Sequence, residues 1–214
     1  MKEAAAVLVL ALGAAACDPA AKEAPPAERE GKTPTRIVAL TCGAVDILTA
    51  LGELGRVVAV EEDCPAPGTE TMVKIRNDDH PGQTRIVNVE SVLALRPDLV
   101  IAKEELKPAL GSRGVPVLWS PDAVNLANLP AFTAAVAEAV GAGEKGRALV
   151  EGMRAKERAL RERTAPLPKV RVYYEYVGLG GTVGSASVID EMIRLAGGAN
   201  VAGGEPKPSV RMTA

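Results

Sequence analysis

The chain reads Arg36-Ile-Val-Ala-Leu40, Gly43-Ala-Val-Asp-Ile-Leu48, Ala50-Leu-Gly52, Arg56-Val-Val-Ala-Val60 and Val89-Glu-Ser-Val-Leu-Ala-Leu-Arg-Pro-Asp-Leu-Val-Ile-Ala102. Within this stretch, short apolar runs of the kind that form strands alternate with segments of helical pattern. Successive strands that are separated by helices pair in parallel and carry the helices on their faces. The stretch therefore predicts an α/β fold with a parallel sheet covered by helices.

The composition excludes some functions and limits the residues available for others. The 214 residues carry a net charge of -2, so no overall positive field favours nucleic acid. The aromatic residues are only Trp119, Phe132, Tyr173, Tyr174 and Tyr176. A cleft that stacks a flat ligand on aromatic rings has few residues to use. We expect alanine, valine and leucine to fill the core.

The N-terminal residues have the composition of a targeting segment followed by a linker. Ala4–Ala16 is an apolar run too short to cross a bilayer as a helix. Ala14-Ala15-Ala16-Cys17 resembles a bacterial lipobox, except at Ala14, where that motif usually has leucine. We expect residues 1–17 to be a lipoprotein signal peptide with lipidation at Cys17; the alternative is an ordinary secretory signal. Residues 18–34, rich in proline, alanine and glutamate, are expected to be a disordered tether.

The order and the sequence motifs of the segments resemble those of a known family, the substrate-binding proteins of ABC importers for iron-siderophores, haem and cobalamin. The most specific part is the pattern Glu-x-x-Leu-x-Leu-x-Pro-Asp-Leu-Val-Ile, which ends at Ile101. A second stretch, Ile189-Asp-Glu-Met-Ile-Arg-Leu-Ala-Gly-Gly-Ala-Asn200, is also close to the family's wording. The resemblance implies two parallel-sheet lobes with flanking helices, joined by a long helical spine, with the ligand between the lobes.

The resemblance also divides the chain behind the linker into three parts. Residues 35–124 are expected to form the N-terminal α/β lobe, residues 125–165 the helical spine, and residues 166–214 a partial C-terminal α/β lobe. Within the spine, apolar residues recur at helical spacing, and Gly141 and Gly143 can divide it into two helices.

Two stretches lack a clear pattern of regular structure. Residues 61–85 hold proline, glycine and acidic residues and are predicted to form a long irregular loop. After the spine, the sequence predicts one strand, Val170–Tyr174, and one helix, Ser187–Ala196. The last residues, Val210–Ala214, resemble the start of a further helix. By comparison with the family, the second lobe is therefore expected to be incomplete.

Two cysteines are predicted to lie at the carboxyl edge of the sheet, where open parallel sheets bind ligands. Cys42 follows the first predicted strand and Cys64 follows the second. Three interpretations compete: a structural disulfide, which an oxidising compartment would favour; two buried thiols; and a soft-metal or haem site that includes His80. No C-x-x-C or H-x-x-x-H spacing supports zinc. We rank the disulfide first and the metal last, and His80 is otherwise a solvated or lid residue.

Further residues are predicted to line the ligand cleft. Gly43 adjoins Cys42, and Trp119 and Tyr176 are the aromatic residues best placed to stack on a corrin, a porphyrin or a catechol-type siderophore. Either ring can equally pack at a lobe edge. Gly181 lies in a glycine-rich turn whose G-x-G-x-x-x-G spacing is one residue too long for the dinucleotide fingerprint.

One acidic residue is assigned by the resemblance to permease docking. In the family, one glutamate in each lobe docks on arginines of the permease, and Glu90 matches the first-lobe position. Its counterpart would be expected just beyond Ala214. The dipole of the predicted helix would by itself also favour a carboxylate at Glu90.

Together these features predict a binding protein and not an enzyme, since no G-x-S-x-G elbow or distinct carboxylate pair occurs. The expected protein is a lipoprotein anchored on the extracytoplasmic face of a bacterial membrane. It would need no intrinsic cofactor, capture an iron or cobalt chelate (a ferric siderophore, haem or cobalamin) and deliver it to an ABC permease. Two alternatives stay open: a thiol-based metal-binding or redox module using Cys42 and Cys64, and a truncated, inactive fragment.

Overall fold

The structure, a computed structural model, describes residues 32–75, 77–78, 86–121, 123–175 and 180–212. Its helices are α1 Cys42–Leu51, α2 Val89–Ala94, α3 Lys107–Leu110, α4 Leu129–Ala139, α5 Gly143–Thr164 and α6 Val188–Leu195. Its strands are β1 Ile37–Ala39, β2 Val57–Glu61, β3 Val73–Ile75, β4 Asn77–Asp78, β5 Ile86–Val87, β6 Leu99–Lys103, β7 Val117–Ser120, β8 Val170–Val172, β9 Gly181–Thr182, β10 Gly198–Asn200 and β11 Val210–Arg211.

The first lobe is built on a five-stranded sheet in the order β3-β2-β1-β6-β7, in which every neighbouring pair is parallel. Strand β1 lies in the middle, with Ile37 beside Leu99 and Ala39 beside Ile101. The parallel sheet predicted from the sequence is confirmed. The prediction of a continuous irregular loop over residues 61–85 is wrong, because β3 and β4 lie within it. Strand β3 has three residues and β4 has two, which is too short to show an alternating pattern.

Both faces of the sheet are buried, because successive strand residues point to opposite sides. On one face, Ile37 and Ala39 pack with helices α1 and α4 in a first core cluster, which contains Val45, Leu48 and Val136. On the other face lies a second core cluster, whose buried members are Val38, Leu40, Ala59, Ile75, Val87, Val92, Val100, Ala102, Leu106 and Leu110. This double cover explains why the strands read as continuous apolar runs.

Helix α1 has a defined beginning and end. The Thr41 hydroxyl accepts a hydrogen bond from the Ala44 N–H at 3.2 Å and so caps the first turn. Gly52 ends the helix with a φ of 76°, a conformation that favours glycine. The cap places Cys42 in the first turn of the helix.

Helices α4 and α5 form an antiparallel pair behind the first lobe, and the predicted break between them is confirmed. Gly141, with a φ of 72°, lies in the turn. A methyl group on Gly146 would collide with the Cβ of Ala137, so glycine allows the two helices to approach closely. Helix α5 has 22 residues and is exposed over most of its length. At its far end the Thr164 hydroxyl donates to the Leu195 carbonyl at 3.2 Å, which connects α5 to α6.

The second lobe contains more strands than the sequence predicts. Strands β8 and β10 pair in parallel, and β9 and β11 pair antiparallel. The expectation of a single strand after residue 166 is therefore wrong, and the expected helix start at Val210–Ala214 is wrong for its described part, since Val210–Arg211 is β11. The strands that the sequence does not predict, β9, β10 and β11, have only two or three residues, and β9 and β10 contain glycine, so neither length nor pattern indicates them. Helix α6 is confirmed.

A buried carboxylate organises the second lobe. Asp190 is 1 % exposed, accepts a hydrogen bond from the Asn200 side chain at 3.0 Å and pairs with Arg194 at 2.9 Å. The next residue, Glu191, accepts a hydrogen bond from the Leu126 N–H at 2.9 Å. Adjacent acidic residues at the start of α6 therefore hold the lobe together and fasten it to the segment that leads into α4.

Candidate functional site at the carboxyl edge of the sheet

The candidate site is the edge of the five-stranded sheet at which its parallel strands end. Strand β1 is followed, after Leu40, by Thr41, Cys42 and Gly43. Strand β2 ends at Glu61, and the residues after it lead to Cys64. Because β1 and β2 are neighbours, their C-terminal segments meet at this edge. The topology thus brings together the two loops that the sequence analysis singled out.

Cys42 and Cys64 lie at the same core cluster, beneath this edge of the sheet. Cys64 is 2 % exposed and belongs to the first core cluster, and the half-buried Cys42 packs on that cluster. The two thiols are near enough for each to act on the ionisation of the other. Both carry free thiols in this structure, which corresponds to the second of the three interpretations. Both the bonding reach between the cysteines and a bridge between them stay predictions.

The surroundings of Cys42 keep its sulfur protonated. Burial, followed by the hydrogen bond and charge interaction with Cys64 and the charges of Glu61 and Asp46, raises the pKa of the Cys42 thiol to about 12. At neutral pH the site therefore presents a neutral thiol and not a thiolate. The Cys42 sulfur should therefore react slowly as a nucleophile at neutral pH, and it is not a preformed ligand for a soft metal ion.

The segment that carries Cys64 is held by residues that the sequence analysis did not single out. The Lys74 ammonium donates to the Cys64 carbonyl at 3.5 Å and to the Thr69 hydroxyl at 3.2 Å. Thr69 is 2 % exposed and its hydroxyl donates to the Ala66 carbonyl at 2.6 Å. Lys74 can do this because β3 pairs with β2. The only sequence signal for β3 is the pair of apolar residues Val73 and Ile75.

The other predicted cleft residues have different surroundings. Gly43 is exposed, and a side chain added there would meet open space. Trp119 is half-buried against the second core cluster, with the Lys107 ammonium 5.9 Å from the centre of its ring. Its ring therefore packs between the sheet and α3. Gly181 is half-buried in β9, opposite Arg211. Tyr176, His80 and Cys17 lie outside the described residues.

Glu90 lies on the surface of the first lobe, in the first turn of α2. Asn88 caps this helix by accepting a hydrogen bond from the Ser91 N–H at 3.0 Å. The Glu90 side chain is 74 % exposed and pairs with Arg113 at 3.3 Å. An exposed pair of this kind contributes little stability, so the Glu90 carboxylate could exchange its partner at low cost.

Two features are absent from the part of the chain that the structure describes. No group of three or more histidine, cysteine, aspartate or glutamate residues there is arranged to hold a metal ion. Within the same residues, no helix combines the length and the apolar character needed to cross a bilayer.

Comparisons with known proteins agree with the architecture. A curated relative, the "Cobalamin-binding protein" of Halobacterium salinarum, is 29 % identical over 175 residues, covering 79 % of this chain and 46 % of its own. The "Uncharacterized ABC transporter substrate-binding lipoprotein YvrC" of Bacillus subtilis is 27 % identical over 183 residues, covering 80 % and 56 %. The chain thus spans about half the length of the curated relatives it matches.

A solved structure gives the same fold. The "Periplasmic heme-binding protein RhuT from Roseiflexus sp. RS-1 in apo form" is 26 % identical, with a TM-score of 0.70 over 83 % of this chain and 70 % of that one. The model of a family described as "Periplasmic binding protein" matches residues 37–210, which include every strand of both lobes except the last residue of β11. The chain therefore belongs to the periplasmic binding protein family.

Proposed function

We propose that this protein captures a metal chelate and delivers it to the permease of an ABC importer. The observation that carries the proposal is the identity of 29 % over 175 residues to a protein named for cobalamin binding. The likeness to a haem-binding protein supports the same class of ligand, a metal held in a tetrapyrrole or corrin ring. Cobalamin and haem are thus the first candidates, and a ferric siderophore is the third.

The geometry supports capture without chemical conversion. The carboxyl edge presents a neutral Cys42 thiol, the exposed Gly43 and the loop fastened by Lys74. Open space beside Gly43 allows a large ring to approach the backbone of the first turn of α1. A chelate already holds its metal, so the binding protein needs to supply shape and only a few polar groups.

Delivery to a membrane partner is proposed on two features. Glu90 presents an exposed carboxylate near the start of α2, where an arginine of a permease could replace Arg113. Cys17 would carry the lipid that keeps the protein on the extracytoplasmic face of the membrane. The match to a protein named as a substrate-binding lipoprotein supports both parts. An intact mass of the expressed chain with an acyl increment at Cys17, lost in Cys17→Ser, tests the anchor.

The ligand is tested by titrating the purified chain with cyanocobalamin, haemin and a ferric catecholate siderophore, followed by absorbance and by tryptophan fluorescence. Two variants form a matched pair, because Gly43 and Gly152 both lie in helices, are exposed and have open space for a side chain. Gly43→Tyr places a ring at the carboxyl edge, and Gly152→Tyr places the same ring on the remote surface of α5.

We expect saturable one-to-one binding of at least one chelate, weakened at least tenfold by Gly43→Tyr and unchanged by Gly152→Tyr. A tenfold loss corresponds to about 1.4 kcal/mol. Absence of saturable binding by a folded chain would overturn the proposal. Equal affinity of the two tyrosine variants would remove the binding site from this edge.

A further inference from the structure

Cys42 and Cys64 carry thiol chemistry that the proposed capture of a chelate does not use. The residues come from different segments, the first turn of α1 and the loop after β2, and the sheet order alone brings them together. Cys64 is enclosed in the first core cluster, and the more exposed Cys42 packs on that cluster. Because β1 and β2 are neighbouring parallel strands and both residues pack at the same core cluster, the two sulfur atoms lie near each other, and each acts on the ionisation of the other.

We propose that Cys42 and Cys64 are a reversible dithiol–disulfide pair, whose oxidation ties the first turn of α1 to the loop between β2 and β3. The oxidant is a low-molecular-weight or protein disulfide that reacts by thiol–disulfide exchange. The structure represents the reduced form of this pair, with both thiols free. The proposal concerns the thiol chemistry of the protein and does not rest on the identity of its ligand.

The relative exposure of the sulfurs sets the order of the exchange. Cys42 is the more accessible residue, so its deprotonated sulfur attacks the donor disulfide and releases the first donor thiol. The Cys64 sulfur then loses its proton and attacks the Cys42 sulfur in the mixed disulfide, which releases the second donor thiol. In total, two cysteine thiols are oxidised to one disulfide, and one donor disulfide is reduced to two thiols.

The first step should be slow at neutral pH and faster in alkali. The Cys42 thiolate is disfavoured by burial, by the adjacent Cys64 and by the carboxylates of Glu61 on β2 and Asp46 on α1. Lys74, a cation that contacts this loop, donates to the Cys64 carbonyl and to Thr69. Once formed, the bond would be shielded from solvent because Cys64 is 2 % exposed, so attack by an external reductant should also be slow.

Oxidation should stabilise the fold, because the bond closes the chain between two loops that are already in contact. The bond would close the chain between Cys42 and Cys64, and for a loop of this length the melting temperature should rise by roughly 5–10 °C. The bond would also reduce the freedom of the candidate binding edge, since it fixes Cys42 beside the exposed Gly43.

The test uses the full chain with Cys17→Ser, so that only the two cysteines in question can react. The protein is incubated with glutathione disulfide at pH 8.5, quenched in acid, denatured, alkylated and weighed intact, with and without prior reduction by dithiothreitol. Cys42→Ser and Cys64→Ala, each in the same background, are the matched controls. Melting temperatures of the oxidised and reduced samples are compared.

We expect a monomer that has lost two hydrogens, resists alkylation, melts higher than the reduced sample and returns to the dithiol with dithiothreitol. Each single variant should give only a glutathione adduct or a free thiol, without the increase in melting temperature. A main product that carries glutathione on Cys42, a disulfide-linked dimer, or thiols that remain open to alkylation would each overturn the proposal. None of these outcomes depends on ligand binding, so the proposed function would be unaffected.

Discussion

The two lobes use the same kind of elements with very different degrees of cover. In the first lobe, five parallel strands are buried on both faces by α1 and α4 on one side and by α2 and α3 on the other. In the second lobe, the described strands form pairs, and Val170 of β8 is 66 % exposed while Met192 of α6 is 53 % exposed. A parallel strand is stable when both of its faces are covered. The comparison indicates that the first lobe and α4 hold most of the stability of the described chain.

The largest expected effect is a difference between the lobes in how much the free energy of unfolding falls when a side chain is shortened to alanine. Leu48 is fully buried in the first core cluster, and Met192 is 53 % exposed in the second lobe. Leu48→Ala should lower the free energy of unfolding by about 2–5 kcal/mol, because it removes buried methyl groups and leaves a cavity. Met192→Ala should cost less than about 0.5 kcal/mol. Urea unfolding of the two variants measures both values, and equal losses would contradict the comparison.

The second effect concerns the helix pair that joins the lobes. Replacing glycine by alanine should change the stability of the protein in opposite directions at two positions of α5. Gly146 faces Ala137 so closely that an added methyl group would collide with it, whereas Gly152 has open space. Gly146→Ala should destabilise the protein by about 1–3 kcal/mol through overpacking. Gly152→Ala should stabilise it by about 0.5–1 kcal/mol through helix propensity.

Thermal or urea unfolding of these two variants shows whether the first half of α5 belongs to the core of the first lobe. If Gly146→Ala were as stable as Gly152→Ala, the close approach of α4 and α5 would be absent, and α5 would be an independent connection.

The third effect is a pH dependence of the free energy of unfolding, which arises at the beginning of strands β1 and β6. The Asp98 carboxylate accepts hydrogen bonds from the Thr35 N–H at 2.8 Å, the Thr35 hydroxyl at 3.0 Å and the Arg36 N–H at 2.9 Å. Burial by itself would raise the pKa of Asp98, but the hydrogen bonds from Thr35 and Arg36 outweigh it and lower that pKa below its usual value. The ionised carboxylate thus fastens the segment before β1 to the beginning of β6.

Because the folded pKa is lowered, this stabilisation is complete above the unfolded pKa of about 3.9 and is lost as the pH falls through the folded value. Asp98→Asn should lower the free energy of unfolding by roughly 1–2 kcal/mol at pH 7 and reduce its fall in acid. Glu151→Gln, which removes a carboxylate from the exposed face of α5, is the control and should change neither. If the free energy of unfolding of Asp98→Asn fell as steeply in acid as that of the unchanged protein, the pH dependence would belong to other carboxylates.

The sequence predicts the first lobe better than the second for a physical reason. Strands β1, β2 and β6 contain three or four consecutive apolar residues, because both of their faces are buried. The caps at Thr41 and Gly52 obey local rules that a sequence shows directly. Strands β9 and β11 have two residues each, and their pairing depends on distant contacts without a local signal.

The candidate site shows the same division. The adjacency of Cys42 and Cys64 follows from the order of two predicted strands, so it could be predicted. The contact of Lys74 with Cys64 could not, because it depends on β3, whose three residues carry too little pattern. The side of the sheet that Trp119 occupies depends on the register of β7 beside β6, which places Trp119 next to Ala102 on the face of α3. Register of this kind is set by tertiary packing.

The most direct test of the central claim, capture of a chelate at the carboxyl edge of the first sheet, is hydrogen exchange measured with and without cyanocobalamin or haemin. We expect bound chelate to slow exchange in peptides that cover residues 41–46 and 61–72, where the loops after β1 and β2 lie. Peptides from the exposed middle of α5, residues 150–160, should exchange at the same rate in both samples. Protection confined to α5, or no protection of either loop at saturating ligand, would contradict the account.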